Sequence, residues 1–244
     1  MQNTASASVV RFPSNCLAEE RLDQRRQERL LMERLPFTVK IVHTEAELQK
    51  AIHIRHAAYS RHVPAFAETL KAAEQMDMQE GVAILLAESK LDGAPLGTMR
   101  IQTNQYGPLN LEQSVTLPDW LAQRSLAEAT RLGVTDQRIG RLVKTVLFKS
   151  FYQYCVTNDI EWMVISGRAP VDRQYDQLLF NDVFPGQGYM PLRHVGNIPH
   201  RILSFDVAAA KRRWTEANHP LHNFVFQTYH PDIHIGLQEI TPIQ

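Results

Sequence analysis

The sequence predicts an α/β (α+β) protein in which a mixed central sheet carries helices on both faces. Segments with helical and with strand periodicity alternate along the chain in the order β-α-α-β-β-β-α-β-α-β-β. A hairpin signal, Asp92-Gly93, joins two apolar segments of that sheet. The 244 residues, 44% hydrophobic and 21% charged, suit one substantial globular domain with appendages.

Local patterns predict each element of the domain. FTVKIV, from Phe37, alternates with period two as a strand does, and Thr44 with Glu47 forms a capping box that begins the first helix. Residues 141–157 carry an apolar face with the 3.6-residue period of an amphipathic helix. The remaining predicted strands are GVAILLAESK, PLGTMRIQTN, SLAEATRLGV, EWMVISG, YMPL and RILSFDV, and the remaining predicted helix is VDRQYDQLLFNDVF.

Three regions are expected along the chain. Residues 1–36 form an N-terminal extension, in which residues 1–16 look disordered and residues 17–35 favour a helix. Residues 37–207 form the domain itself. Residues 208–244 form a helical C-terminal tail packed on that domain.

Composition excludes several classes of protein. The formal net charge is zero, so the whole-protein basic footprint of a nucleic-acid-binding protein is absent. Cys16 and Cys155 lie far apart with no CxxC pair, which argues against a disulfide framework or a cysteine zinc site. Neither a signal peptide nor an apolar run of ~20 residues is visible. We therefore expect a cytoplasmic protein with at most peripheral membrane contact.

Histidines in the tail offer metal-like spacing, at His219/His222 and at His230/His234. No cysteine or glutamate ligand clusters with either pair, so no metal is expected.

A strand, loop and helix around Gly140 form the unit most typical of a binding site. The loop TDQRIG leads into the N-terminus of a predicted helix. Backbone N–H groups and the helix dipole at that point favour an anionic ligand. Arg138, Arg141 and Lys144 add positive charge at the same place, with Lys149 near the same flank of the helix. This basic flank indicates either an ordinary solvated face or contact with an acidic partner.

The same unit resembles the cofactor-binding element of the GNAT acyltransferases. Residues Gln137-Arg138-Ile139-Gly140-Arg141-Leu142 follow that family's Q/R-x-x-G-x-G/A loop, except that Leu142 replaces the small final residue. In that family the loop holds the phosphate and pantetheine of an acyl thioester. The resemblance implies a GNAT-like fold that binds an acyl thioester.

A second resemblance is to the autoinducer (acyl-homoserine lactone) synthase branch of this fold. The segments LGTMRIQTN and LAEATRLGV place Gly97, Arg100, Glu128 and Arg131 on its G-x-x-R-L-x-P-T and E-L-S-R strands, and Arg55 and Asp77 match upstream residues. From about residue 37 to residue 205 the chain is similar to the FeeM-type N-acyl amino acid synthases. This resemblance implies transfer of a fatty acyl group from acyl carrier protein to an amino acid, with acyl-phosphopantetheine as co-substrate and no permanently bound cofactor.

Roles follow from what aminolysis of a thioester requires. Glu128 is expected to accept the amine proton as general base, directly or through water, with Arg131 helping to keep it ionised. A structural Glu128–Arg131 ion pair is the alternative. The two residues are an odd number of positions apart, so they reach one face of the sheet only through a local bulge. Backbone N–H groups near Val134 are expected to bind the thioester carbonyl.

The remaining candidates are assigned to substrate and leaving group. Arg100 is expected to hold the amino acid carboxylate. Arg55 and Asp77 are expected to form the substrate-side wall, or alternatively a plain surface salt bridge. Tyr175 is a candidate acid for the leaving thiol, the alternative being a buried core tyrosine.

Three other functions stay open. They are an acyl-homoserine lactone synthase using S-adenosylmethionine, a coenzyme A-dependent N-acetyltransferase, and a non-catalytic module that binds acyl groups or carrier protein. The sequence leaves the amino acid, the acyl length, the choice between carrier protein and coenzyme A as donor, and the oligomeric state open.

Overall fold

A computed structural model describes residues 31–236 of the chain. The predicted disorder over residues 1–16, Cys16 and most of the predicted N-terminal helix lie outside the described residues. The strands are β1 (Leu31–Met32), β2 (Phe37–Ile41), β3 (Val82–Ser89), β4 (Pro95–Thr103), β5 (Leu126–Val134), β6 (Trp162–Gly167), β7 (Asn181–Asp182), β8 (Met190–Leu192), β9 (Ile198–Asp206), β10 (Thr228–Tyr229) and β11 (Ile233–His234). The α-helices are α1 (Glu45–Ser60), α2 (Pro64–Ala67), α3 (Asp119–Ala122), α4 (Gly140–Thr157), α5 (Asp172–Gln177), α6 (Ala210–Glu216) and α7 (His222–Phe226).

The central sheet is mixed, as the sequence predicted. Within residues 31–236 it has nine strands, in the order β11-β2-β3-β4-β5-β6-β9-β7 with β8 beside β9. β11 with β2 and β5 with β6 are parallel pairs, whereas β2 to β5 form an antiparallel meander and β9 is antiparallel to β6. The predicted Asp92-Gly93 turn joins β3 to β4, with Gly93 at a φ of 68°.

Helices cover both faces of this sheet. On one face α4 packs its apolar side on β2 to β6, and the tail residue Trp214 completes that core. On the other face Leu48, Ala51 and Ile52 of α1 pack on Ile84 and Leu86 of β3. The alternation of β3 residues between the two cores follows from the period-two geometry of a strand.

Predicted helix boundaries hold at α1 and α4 but fail elsewhere. Thr44 and Glu47 form the predicted capping box at α1. The predicted helix over residues 171–184 ends at Gln177, because Leu179 adopts a left-handed φ of 65° and the chain then enters β7. The predicted N-terminal helix is also wrong at residues 31–32. These two residues form strand β1, because their backbone pairs with that of β10.

The tail from residue 208 is only partly helical. Its helices α6 and α7 are followed by β10 and β11, and β11 extends the central sheet beside β2. Asp232 anchors this end by accepting a hydrogen bond from the backbone N–H of Leu35 at 2.8 Å. In the part of the chain that the structure describes, no helix is long and apolar enough to cross a membrane.

Candidate active site

A β-bulge in β5 shapes the centre of the molecule. The register between β4 and β5 shifts between Thr98 and Arg100, and Arg131 opposite this shift has a φ of 55°, unusual for a residue with a side chain. The bulge brings the Arg131 guanidinium to the face that carries Arg100 and Thr130. The bulge that the odd spacing of Glu128 and Arg131 required is therefore present.

Beyond this bulge β5 and β6 separate. The two parallel strands pair from Leu126 with Trp162 to Ala129 with Ile165, and the rest of each strand lines a cavity of about 230 Å³. Residues from α1, α2, α4, α5 and β9, with the segments that connect them, complete the wall. A cleft at the carboxyl ends of parallel strands is a common place for a ligand in α/β proteins.

The wall of this first cavity is cationic. Arg61, Arg131, Lys144 and Arg168 line it, and among the residues with described positions no aspartate or glutamate does so. Unbalanced positive charge in a cleft raises the local concentration of anionic ligands. The first cavity therefore suits a carboxylate or a phosphate better than a cation.

A second, apolar cavity of about 500 Å³ adjoins the first. It lies between the sheet on one side and α4, α5 and the tail on the other. Its volume is within the size range of small-molecule pockets. Ala129, Leu132 and Tyr175 line both cavities, so the two meet at the bulged strand. The wall of the second cavity includes Met99, Phe148, Phe151, Ile165, Leu178, Phe180 and Leu221.

Five charged residues form a buried network under the first cavity. Asp77 accepts hydrogen bonds from Arg55 at 2.8 and 3.0 Å and from Arg100 at 3.1 Å. Glu74 accepts from Arg131 at 2.6 and 2.7 Å and also pairs with Arg55 and Arg100. Burial alone would raise the pKa of both carboxyls, but the arginine hydrogen bonds and charges hold each pKa below its ordinary value.

This network corrects several predictions. The side chains of Arg55 and Asp77 are 0% exposed, so the alternative of a surface salt bridge between them is wrong. Arg100 is 1% exposed, is held by Asp77, Glu74 and Thr130, and does not line either cavity. Its predicted contact with a substrate carboxylate would require this network to open. The sequence prediction also missed Glu74, which binds the guanidinium of Arg131.

Glu128 lies apart from that network and is fully buried. One carboxyl oxygen accepts a hydrogen bond from the backbone N–H of Leu111 at 3.3 Å, and the other lies 3.7 Å from Nε2 of His194. The alternative of a Glu128–Arg131 ion pair is wrong, because Arg131 is bound to Glu74. Burial raises the pKa of Glu128 to about 7, against the opposing effect of backbone N–H groups.

His194, absent from the predicted site, lies beside Glu128. Burial and then the positive charge of Arg131 lower the pKa of His194 to about 3, so its ring is neutral at pH 7. Its backbone carbonyl accepts a hydrogen bond from Arg131 at 2.9 Å. Glu128 does not line the first cavity, so its predicted role as base needs a mediating group.

The predicted phosphate-binding helix N-terminus is present at α4. No side chain of residues 31–236 caps its first turn, which leaves backbone N–H groups for a ligand. Gln137, Arg138 and Arg141 are exposed beside it, while half-buried Lys144 lines both cavities.

Lys149 does not belong to this basic flank, contrary to the prediction. It is fully buried, and its ammonium binds the carbonyls of Phe224 and Thr228 and Nδ1 of His230. Lys149 therefore anchors the tail on α4.

Gly140 begins α4 where no side chain fits. A Cβ atom at this position would lie 2.2 Å from the backbone oxygen of Thr135. We expect Gly140→Ala to lower the free energy of unfolding by about 1–3 kcal/mol, since the clash is with backbone. Urea titration measures this, with Gly236→Ala as the control because no atom of the described residues lies within 4 Å of a Cβ there. Equal unfolding midpoints for the two variants would show that the loop yields freely.

The other predicted residues lie on the cavity walls. Val134 lines the first cavity, and its carbonyl accepts a hydrogen bond from Arg61. Tyr175 lines both cavities, and burial raises its pKa, which keeps the phenol protonated at neutral pH and makes it a weaker acid. Their roles in binding the thioester carbonyl and protonating the thiol stay predictions.

The tail histidines do not converge. His219 stacks on Trp214 with ring centroids 3.7 Å apart, while His230 binds Lys149. Within residues 31–236 no group of three or more histidine, cysteine, aspartate or glutamate side chains is placed to hold a metal ion.

The bulged strand, its separation from β6 and the helix that follows it identify the architecture as the GNAT acyltransferase fold. No family model matches the chain, and no curated protein matches its sequence. In structure the chain is similar to FeeM, an N-acyl amino acid synthase from uncultured soil microbes, with 16% identity and a TM-score of 0.54 over 77% of this chain and 96% of that one.

Two acetyltransferases share the same fold. One is a putative N-acetyltransferase from Lactobacillus plantarum, with 12% identity and a TM-score of 0.51 over 71% of this chain and 99% of that one. The other is an aminoglycoside acetyltransferase in complex with coenzyme A and kanamycin, with 14% identity and a TM-score of 0.50 over 72% and 98%. The GNAT-like fold predicted from the sequence is thus confirmed.

Proposed function

We propose that this protein is an N-acyltransferase that joins a long fatty acyl group to the α-amine of an amino acid. The observation that carries the proposal is the meeting of two unlike cavities at β5. A cationic cavity of about 230 Å³ opens beside the bulge, and an apolar cavity of about 500 Å³ adjoins it. The first suits the carboxylate of an amino acid, and the second suits an acyl chain.

The acyl donor is a phosphopantetheine thioester, and acyl carrier protein is the carrier we favour. The uncapped N-terminus of α4 offers backbone N–H groups to the phosphate. Exposed Arg138 and Arg141 lie beside it, where they would meet an acidic carrier. Such a carrier places the reaction in the cytoplasm.

Transfer then needs only direct attack of the amine on the thioester carbonyl. Backbone N–H groups near Val134 would stabilise the oxyanion, and Tyr175 at the junction of the cavities would protonate the leaving thiolate. Positive charge for the carboxylate of the amino acid comes from Arg61, Lys144 and Arg168, which line the first cavity. Neither a covalent enzyme intermediate nor a metal is part of this scheme.

Mass spectrometry of lipid extracts from bacteria expressing the protein, against an empty-vector control, tests the proposal. New long-chain N-acyl amino acids are the expected product and would identify both substrates together. Acyl-homoserine lactones would instead assign a lactone synthase. Only short N-acetyl products would assign a coenzyme A-dependent acetyltransferase, and no product from verified folded protein would favour a non-catalytic binding module.

The junction of the cavities should set the acyl length. Ala129 lines both, so Ala129→Leu adds side-chain volume where the acyl chain would pass. We expect kcat/KM for dodecanoyl donors to fall about 10- to 100-fold, whereas acetyl donors keep most of theirs. Thiol release with a series of acyl thioesters measures this, and Val156→Leu at an exposed position of α4 is the control. An equal loss for both chain lengths would contradict an acyl path through this junction.

A further inference from the structure

The first cavity contains a histidine, His200, that is placed to accept a proton. This residue lies in β9, is 8% exposed, and lines the cavity wall together with Thr130 and Ser166. Glu128, the base expected from the sequence, does not line that wall.

Hydrogen bonding fixes the proton on the His200 ring. Nδ1 lies 2.7 Å from the carbonyl oxygen of Ile198, and because a carbonyl only accepts, Nδ1 must donate. In a neutral ring Nε2 then carries the lone pair. Nε2 has no hydrogen-bond partner among residues 31–236, and part of its surface is accessible to solvent. A reacting group in the cavity can therefore reach it.

The surroundings keep this ring neutral. Burial lowers the pKa of His200, and the positive charge of Arg168 adds to that effect. The ring of His194, which interacts with His200, is also neutral. The further titratable groups that face the cavity are Tyr59, Arg61, His62, Arg131, Lys144 and Tyr175.

Among these groups His200 is the one suited to accept a proton at pH 7. The arginines and Lys144 carry protons already, and His62 is exposed, with neither tautomer fixed by a hydrogen bond to the described residues. The same cations also disfavour a bound ammonium, so the amine enters the cavity neutral.

Building on the proposed function, we propose that His200 is a catalytic residue whose Nε2 accepts the amine proton during acyl transfer. As the amine nitrogen bonds to the thioester carbon, one N–H proton moves to Nε2. The C–S bond then breaks, and the leaving thiolate receives that proton from the imidazolium, directly or through Tyr175. Neutral His200 is regenerated, and the products are an amide and a thiol.

Kinetics of His200→Asn test this proposal, because the asparagine amide can still donate to the Ile198 carbonyl but offers no base at the Nε2 position. With dodecanoyl thioesters of coenzyme A or carrier protein and the amino acid found by mass spectrometry, we expect kcat to fall on the order of 100-fold. KM should stay within about threefold, and the acidic limb of the kcat profile, measured at saturating amino acid, should disappear. Imidazole added to His200→Ala should restore part of the rate.

Two controls separate the possible failures. His53→Gln changes an exposed histidine of α1 outside both cavities and should keep wild-type kinetics. A folded His200→Asn variant with a near-wild-type kcat and an unchanged acidic limb would overturn the role of His200 while leaving the proposed function intact. No turnover by the wild-type protein with any acyl thioester and amine would instead overturn the proposed function, and the catalytic assignment with it.

Discussion

Replacing Asp77 with asparagine is expected to lower the free energy of unfolding by about 3–5 kcal/mol, because the change breaks a desolvated ion-pair network. The Asp77 side chain is 0% exposed and accepts three hydrogen bonds from Arg55 and Arg100. Asparagine has nearly the same shape but no charge, and its amide nitrogen would face a guanidinium. Three buried arginines would then share the single charge of Glu74.

Chemical denaturation at pH 7 measures the Asp77→Asn effect through the transition midpoint and slope. Glu68→Gln is the matched control, because it neutralises an acidic residue whose salt bridge to Lys71 is exposed, and its midpoint should be essentially that of the wild type. A normal midpoint for Asp77→Asn would show that solvent reaches the network and that Arg55 and Arg100 are free to bind substrate.

The same network shows how far the sequence could take the site. Arg55, Asp77, Arg100 and Arg131 could be selected from the sequence by their resemblance to a family pattern, and the structure brings all four together. Glu74 was not selected, because its segment contains several acidic residues and lacks a regular period. The short 3₁₀ turn Gln75–Met78 places Glu74 and Asp77 against the buried arginines, and this turn depends on tertiary contacts.

The bulge in β5 could be predicted because it follows from local geometry. Glu128 and Arg131 share a face only if the strand carries an extra residue. The partner of Arg131 could not be predicted in this way, since Glu74 lies 57 positions earlier in the chain.

The prediction for Lys149 was wrong for the same reason, at longer range. Helical spacing alone placed Lys149 near the basic flank of α4, but backbone carbonyls of the tail surround its ammonium. His200 is one histidine in a strand, and its role depends on the cavity that the divergence of β5 and β6 opens. The spacing of residues along one helix or strand predicts which face they share, but not which distant segment packs against that face.

Replacing Glu128 with glutamine is expected to stabilise the protein at pH 8 and to leave its stability unchanged near pH 4. Burial raises the pKa of Glu128 to about 7, from 4.5 in the unfolded chain. Below pH 4.5 the carboxyl is protonated in both states and costs nothing. Between pH 4.5 and about pH 7 the folded protein binds more protons than the unfolded chain. The stability of the wild type therefore falls as the pH rises through this range.

Above pH 7 that loss is complete, and it amounts to about 3 kcal/mol of folding free energy. Glutamine has no such titration and can keep the hydrogen bond from the Leu111 backbone. Denaturation midpoints of both proteins at pH 4, 6 and 8 give the difference. Glu161→Gln, at a carboxyl 46% exposed, is the control and should show no comparable divergence.

The sign of this difference also reports on the electrostatics of the site. A stabilised Glu128→Gln protein at pH 8 would mean that the wild type keeps a costly buried charge beside the first cavity, a pattern more typical of functional sites than of structural ones. A destabilised variant would mean that Arg100 and Arg131 hold Glu128 ionised in spite of its burial. In that case Glu128 is a sixth member of the buried network, and its charge balances the third arginine.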